Sequence, residues 1–161
     1  MISGLDRFTG RSRVRKAGPG DWRTVAGLYS ALREVENETM NADAIGRYCL
    51  KILSSANHVV FLLMQEDTVV GQVMATEAVG DIDERFLSVY GLYVVPDYRR
   101  KAGVNDLLRA CAEEARSRNL TSCEFILAPD NETLFYERIG CKLAGKVYRY
   151  EVTNEQQDVC G

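Results

Sequence analysis

At 161 residues and a net charge of −3, the chain has the length of one domain and enough material to bury a core. The acidic balance argues against a general nucleic-acid binder, which needs a broad basic surface. No apolar run approaches the span of a bilayer, the longest being Val59 to Met64, so no membrane partner is expected. Five cysteines without a CxxC pair and a single histidine, His58, leave no zinc spacing. Reduced thiols, no metal and a cytoplasmic setting are the expectation.

Residues 1–11 lack the apolar core of a secretory signal and are expected to form a loose tail. "SRVRKAG" then reads as a short strand, and "GPGDW" as a turn whose Asp21 is placed to cap a helix. Trp22, Val25, Tyr29 and Leu32 recur at helical spacing, and a second helix after Asn41 carries Ile45, Tyr48, Cys49 and Ile52 on one face. Between them, "REVENETMN" holds Glu34, Glu36 and Glu38. At His58 the period changes. "HVVFLLM" is a buried strand, "VVGQVMATEA" its antiparallel partner across the turn "QEDT", and "RFLSVYGLYVV" a third strand after "GDIDE". Val104, Leu107, Leu108, Cys111 and Ala115 mark an amphipathic helix, followed by the strand "CEFILA". "NETLFYERI" is a short helix ended by Gly140, and "CKLAGKVYRYEV" a closing strand. Residues 12–152 form one domain, and 153–161 a second tail. The element order implies a mixed α/β sheet with helices on its faces.

The stretch "LYVVPDYRRKAGVNDLL", residues 92–108, places Arg99, Arg100 and Lys101 between a strand and a helix start. Unpaired helix amides, the positive end of the dipole and three cations together suit a phosphate. A solvated basic turn is the blander explanation. The lone glycine fits neither a dinucleotide fingerprint nor a P-loop.

That stretch, with "RVRKAGPGDW" before it and "DNETLFYERIGCKLAGK" after it, resembles the GNAT N-acetyltransferase superfamily from about Ser12 to Val152. The resemblance implies the GNAT acyltransferase fold, a mixed, mostly antiparallel sheet of about six to seven strands flanked by about four helices. It implies transfer of an acetyl group from acetyl-coenzyme A to a primary amine by direct attack in a ternary complex, without a metal. On the same basis Leu92, Tyr93, Val94 and Val95 offer main-chain partners to pantetheine, and an amide near Val94 polarises the thioester carbonyl. Arg99, Arg100 and Lys101 hold phosphates. Ala102, Gly103, Val104 and Asn105 stand in the loop where the family usually has small residues, and Val104 or Asn105 must turn its side chain away.

Tyr136 matches the family's tyrosine beside the departing sulfur, and Asn131 its side-chain partner for the pantetheine amides, although Asn131 also suits a helix cap. No carboxylate stands at Tyr90 or Gly91, where the family often has an acid on the strand. Glu77 on the neighbouring strand is the candidate base, with Glu34 or Glu36 as others. Glu34 and Glu36 also lie where the family builds its acceptor site, which favours a cationic small molecule over a protein amine. His58, Cys111 and Cys141 read as structural. The tyrosines of "VYRY" suit sheet pairing or a homodimer edge. A non-catalytic acyl-coenzyme A-binding or sensing module of the same fold is the alternative function.

Overall fold

The computed structural model describes residues 12–36, 38, 40–126, 133–145 and 147–150. The expected tails and Asn131 lie outside them. The chain divides into two compact units, Met1–Ile126 and Leu127–Gly161. The first holds strand β1 (Ser12–Lys16), helices α1 (Trp22–Val35) and α2 (Ala42–Leu53), strands β2 (His58–Gln65), β3 (Thr68–Val79) and β4 (Arg85–Val94), helix α3 (Lys101–Ser117) and strand β5 (Ser122–Phe125). The strands lie side by side in sequence order, antiparallel from β1 to β4, with β5 parallel to β4.

Apolar side chains alternate between two cores. Val59, Phe61 and Leu63 of β2 join Val73 and Ala75 of β3 and Leu87 and Val89 of β4 beneath Leu107, Cys111 and Ala115 of α3. Val60, Leu62 and Met64 join Met74 beneath Val25 of α1 and Ile45, Cys49 and Ile52 of α2. A strand covered on both faces has no polar side to show, which is why β2 reads as one apolar run. Asn41 caps α2 as expected, its side chain accepting from the amides of Asp43 at 2.8 Å and Ala44 at 3.3 Å. Asp21 does not cap α1. Its carboxylate accepts from Gly18 N–H at 2.8 Å and from both terminal nitrogens of Arg15 at 2.8 and 3.0 Å, closing the turn that leads into the helix.

In the second unit, α4 (Thr133–Arg138) ends at Gly140, which adopts φ +95°, with Cys141 N–H donating to Tyr136 C=O at 2.9 Å. The expected closing strand is absent from residues 141–145 and 147–150. Val147 and Tyr148 are 76% and 88% exposed, so the alternating pattern there has no sheet to bury it among the described residues. That leaves five strands where about six to seven were expected.

Two glycines set the geometry near the end of β4. Met74 pairs with Tyr90 and Gln72 with Tyr93, so β4 carries one residue more than β3 between those pairs. The surplus is a β-bulge at Gly91, with φ +63°, where an added Cβ would stand 2.9 Å from Met74 Sδ. Gly103, in the first turn of α3, is buried, and a Cβ there would lie 2.8 Å from Leu63 Cδ2, so α3 approaches the sheet as closely as glycine allows. Gly91→Ala should cost about 1–3 kcal/mol of stability, from the left-handed backbone and the Met74 contact together, measured as a lower urea midpoint. An unchanged midpoint would show that the bulge is not fixed by Gly91.

Candidate functional site

The parallel pairing of β5 with β4 runs from Phe86↔Ser122 to Val89↔Phe125, and β4 continues to Val94 paired with β3. Past the bulge the edge of β4 that faced β5 is without a strand partner among the described residues. A single turn, Pro96–Tyr98, then delivers the chain to Arg100, whose extended backbone opens α3 without a side-chain cap. Open strand edge and uncapped helix start are thus consecutive in the chain. Main-chain donors and acceptors are presented along the strand, and the positive end of a helix dipole follows.

The expected cofactor residues divide by what the structure does with them. Leu92 and Tyr93 are half-buried on the open stretch. Val94 is buried in the α3-side core, paired in register with Gly71. Val95 offers no free main-chain group: its N–H donates to Val70 C=O at 2.8 Å and its C=O accepts from Tyr98 N–H at 2.8 Å. Arg99 turns back on the strand, its Nε donating to Val94 C=O at 2.8 Å and its guanidinium lying 5.5 Å from the Tyr93 ring centre. Ala102 is exposed, and Val104 and Asn105 are half-buried in α3. Gly103 has no room for a side chain, an added Cβ meeting Leu63.

Glu77, the candidate base read from the sequence, is engaged in ion pairs. It sits on the α3 side of the sheet, in register with Leu87, where its carboxylate pairs with Arg85 and with Arg118 at 3.2 Å. Arg118 also donates to Glu114 at 2.9 Å, and Glu114 meets Lys16 at 3.0 Å. The Glu77 carboxylate is thus shared between two guanidinium groups. The acids after α1 are partly engaged too, since Arg33 pairs with Glu36 and with Glu38. Glu34 is exposed near the end of α1.

The opposite face of the sheet holds groups the sequence did not reveal. Tyr90 turns toward α2, where its hydroxyl lies 3.0 Å from that of Tyr48. Tyr29 of α1 stands beside them, its ring centre 5.5 Å from that of Tyr48. Burial, then the bond to Tyr48, pushes the Tyr90 phenol well above its ordinary range. Gln72 is fully buried on the same face, and neither atom of its amide has a hydrogen-bond partner among the described residues. One amide inside the apolar run "VVGQVMA" was the available signal. His58 opens β2 with Nδ1 buried and unpartnered; burial and Lys51 push its pKa down, so it is neutral at pH 7. In the second unit Tyr136 is half-buried, and burial, with Cys141 nearby, pushes its phenol up. Among the described residues no cluster of side chains could hold a metal ion, and no helix is long and apolar enough to cross a membrane.

The acetyltransferase (GNAT) family model matches residues 23–141. No curated protein matches the sequence. Among solved structures, a possible acetyltransferase from Clostridium difficile 630 aligns at 23% identity with a TM-score of 0.76, over 88% of this chain and 98% of that one. A predicted acetyltransferase from Clostridium acetobutylicum, solved with acetyl-coenzyme A, aligns at 14% identity with a TM-score of 0.74, over 88% and 96%. An aminoglycoside N-acetyltransferase in complex with coenzyme A aligns at 16% identity with a TM-score of 0.75, over 89% and 95%. At such identities the likenesses establish the fold.

The ion pairs around Glu77 carry a pH dependence. Burial works against the Glu114 carboxylate, but the bonds from Arg118 and Lys16 prevail and hold its pKa below the ordinary value. The stability it contributes is present above the unfolded carboxyl pKa and is lost as pH falls through the lower folded one. Glu114→Gln should therefore lower stability at pH 7 by about 1–2 kcal/mol and differ little from the native chain below pH of about 3. A gap of equal size at both pH values in urea melts would assign the effect to packing.

Proposed function

We propose, from the premise that this chain belongs to the acetyltransferase (GNAT) family, that it moves an acetyl group from acetyl-coenzyme A to a primary amine of a small molecule. The observation that carries this reading is the parting of β4 from β5 after Val89↔Phe125, at a glycine bulge that leads straight into an uncapped helix start. An amide-bearing pantetheine arm fits a strand edge rich in main-chain groups, and a pyrophosphate fits the first turn of α3. The neighbours solved with coenzyme A or acetyl-coenzyme A, and those that acetylate aminoglycosides, support the same choice of donor and acceptor class.

Bound acetyl-coenzyme A supplies an acyl thioester activated toward amines. The chain's own residues do the rest. Main-chain groups of Leu92 and Tyr93 hold the arm, and an amide near Val94 donates to the carbonyl oxygen as negative charge develops there. Arg100 and Lys101 at the start of α3 face the phosphates. Arg99 reaches them by releasing Val94 C=O, or else it orients the strand end from where it is. As the amine attacks, the new C–N bond forms and the C–S bond breaks, leaving sulfur as a thiolate. Tyr136, protonated at neutral pH, donates its proton to that sulfur, and the proton shed by the amine passes to solvent. Asn131 pairs with the arm's amides. Glu34 and Glu36 line the acceptor approach. The setting is cytoplasmic, and a homodimer through the C-terminal segment is compatible with the reading.

A second reading, a binding module without turnover, draws on the internal use of both Val95 main-chain groups and of Val94 C=O, which shortens the free edge. Acetyl-coenzyme A mixed with an amine panel separates the two. Free thiol released only when an amine is present is expected. Tight coenzyme A binding with no thiol from any amine would select the module. Changing Arg99 and Arg100 together to Ala should weaken coenzyme A about tenfold or more while leaving phosphate-free pantetheine nearly unaffected. Equal losses would place the phosphates elsewhere.

Tyr136→Phe keeps the ring and removes one hydroxyl. Cofactor affinity should hold, and turnover should fall by about a hundredfold to ten-thousandfold if proton transfer limits the rate. The fall should be smaller with a thioester whose leaving thiol has a low pKa. Near-native turnover on the ordinary thioester would remove Tyr136 from the mechanism.

A further inference from the structure

We propose that the paired hydroxyls of Tyr48 and Tyr90 seat the acceptor amine, and that they select amines uncharged at neutral pH, an aryl amine being the class that fits. The inference rests on the acetyl-transfer reading and names its substrate class, which replaces the cationic acceptor suggested by Glu34 and Glu36.

Position carries the first part. Tyr90 is the last β4 residue in register with β3 before the bulge, so it stands where the open edge begins. Its hydroxyl faces α2 and meets Tyr48 at 3.0 Å, bridging strand and helix. Two hydroxyls so paired keep one O–H and several oxygen lone pairs unused. A neutral primary amine donates an N–H to such an oxygen and keeps its own lone pair free for attack.

Charge carries the second part. The groups acting on Tyr90 are Tyr48, Tyr29 and Cys49, from both helices that cover this face. None of them is a carboxylate or a cationic side chain, and burial pushes the Cys49 thiol up to about 11. The charges that reach Tyr29 come from Arg33 and Glu36, and Arg33 is shared between Glu36 and Glu38 rather than aimed at the hydroxyls. An alkylammonium ion placed at the hydroxyls would thus lose water without gaining a carboxylate, a costly exchange. An uncharged amine avoids it, and the tilted rings of Tyr29 and Tyr48 offer a flat partner an aromatic wall.

Gln72 points independently to a polar visitor on this face. It precedes Met74 by two residues, in register with Tyr93, fully buried with its whole amide unpaired. Such a group carries a desolvation cost until something polar, a ligand atom or a water, meets it.

The test compares aniline with benzylamine, which are alike in shape and differ in basicity, using the full chain, acetyl-coenzyme A and thiol release. The native protein should show at least tenfold higher kcat/KM for aniline at pH 7, nearly flat from pH 6 to 8. Tyr90→Phe and, separately, Tyr48→Phe should raise KM for aniline about tenfold, leave KM for acetyl-coenzyme A unchanged, and narrow the preference. Preference for benzylamine, rising with pH and untouched by either variant, would overturn the proposal. Should neither amine release thiol, the amine panel decides the acetyl-transfer reading, and calorimetric titration of aniline decides the seat alone. Binding lost in both variants supports it, and binding equal to native overturns it.

Discussion

Side chains alternate along a strand, so one inserted residue reverses the phase of everything after it. In β4 that residue is accommodated at Gly91. Before it, Leu87 and Val89 belong to the core under α3; after it, Leu92 and Val94 return to the same side. Without the insertion Tyr93 would fall into that core, and Leu92 and Val94 would point the other way. The bulge also bends and twists the strand at the place where β5 stops pairing with it. The phase of the strand, the opening of the sheet and the common face of Tyr90 and Tyr93 therefore depend on one position. Only glycine meets its combined demand of φ +63° and Met74 Sδ at 2.9 Å.

Helix α3 must hold its start in register with that opening, and it is fixed at both ends. At its first turn Gly103 lets the backbone settle on Leu63, while Arg99 ties the preceding turn to Val94 C=O. At its last turn Arg118 joins Glu114 of the helix to Glu77 of β3 and reaches Ala56 C=O at 2.8 Å, and Lys16 of β1 closes the chain on Glu114. Isolated surface ion pairs contribute little, but these share partners across three strands and one helix. Their effect is geometric: the uncapped amides of the first turn stay where β4 ends, so a ligand need not order them.

The sequence made the helices, the first five strands and the basic turn legible because each rests on local periodicity. The apolar phases of β2 and α3 are visible in single windows of residues. Asp21 was legible as a turn residue but not as the clasp of Arg15, since either use satisfies a short carboxylate at a helix start. The face of Glu77 was hidden by a different cause. Alternation groups it with Val73 and Ala75, yet nothing local says which helix covers that side or that Arg118 waits there. The contact of Gly103 with Leu63 was not legible, because Leu63 lies on another element far away in the sequence. Tyr90 registered only as the absence of an acid, because its partner Tyr48 lies on another element far away in the sequence.

That absence gains a meaning once the phenol pair is in view. A general base is needed when the acceptor arrives as an ammonium ion and must lose a proton before its lone pair can attack. Among the described residues no carboxylate acts on Tyr90, and the acid expected on β3 is held by Arg85 and Arg118. With an amine already uncharged, the nitrogen attacks first and sheds its proton afterwards, when it is far more acidic and solvent suffices to take it. A neutral seat and a missing base are then one design. The same neutrality excludes the better nucleophile, because a strongly basic amine would have to leave its proton in water before entering, and the fraction able to do so at pH 7 is below about one in a thousand for a pKa of about 10.4.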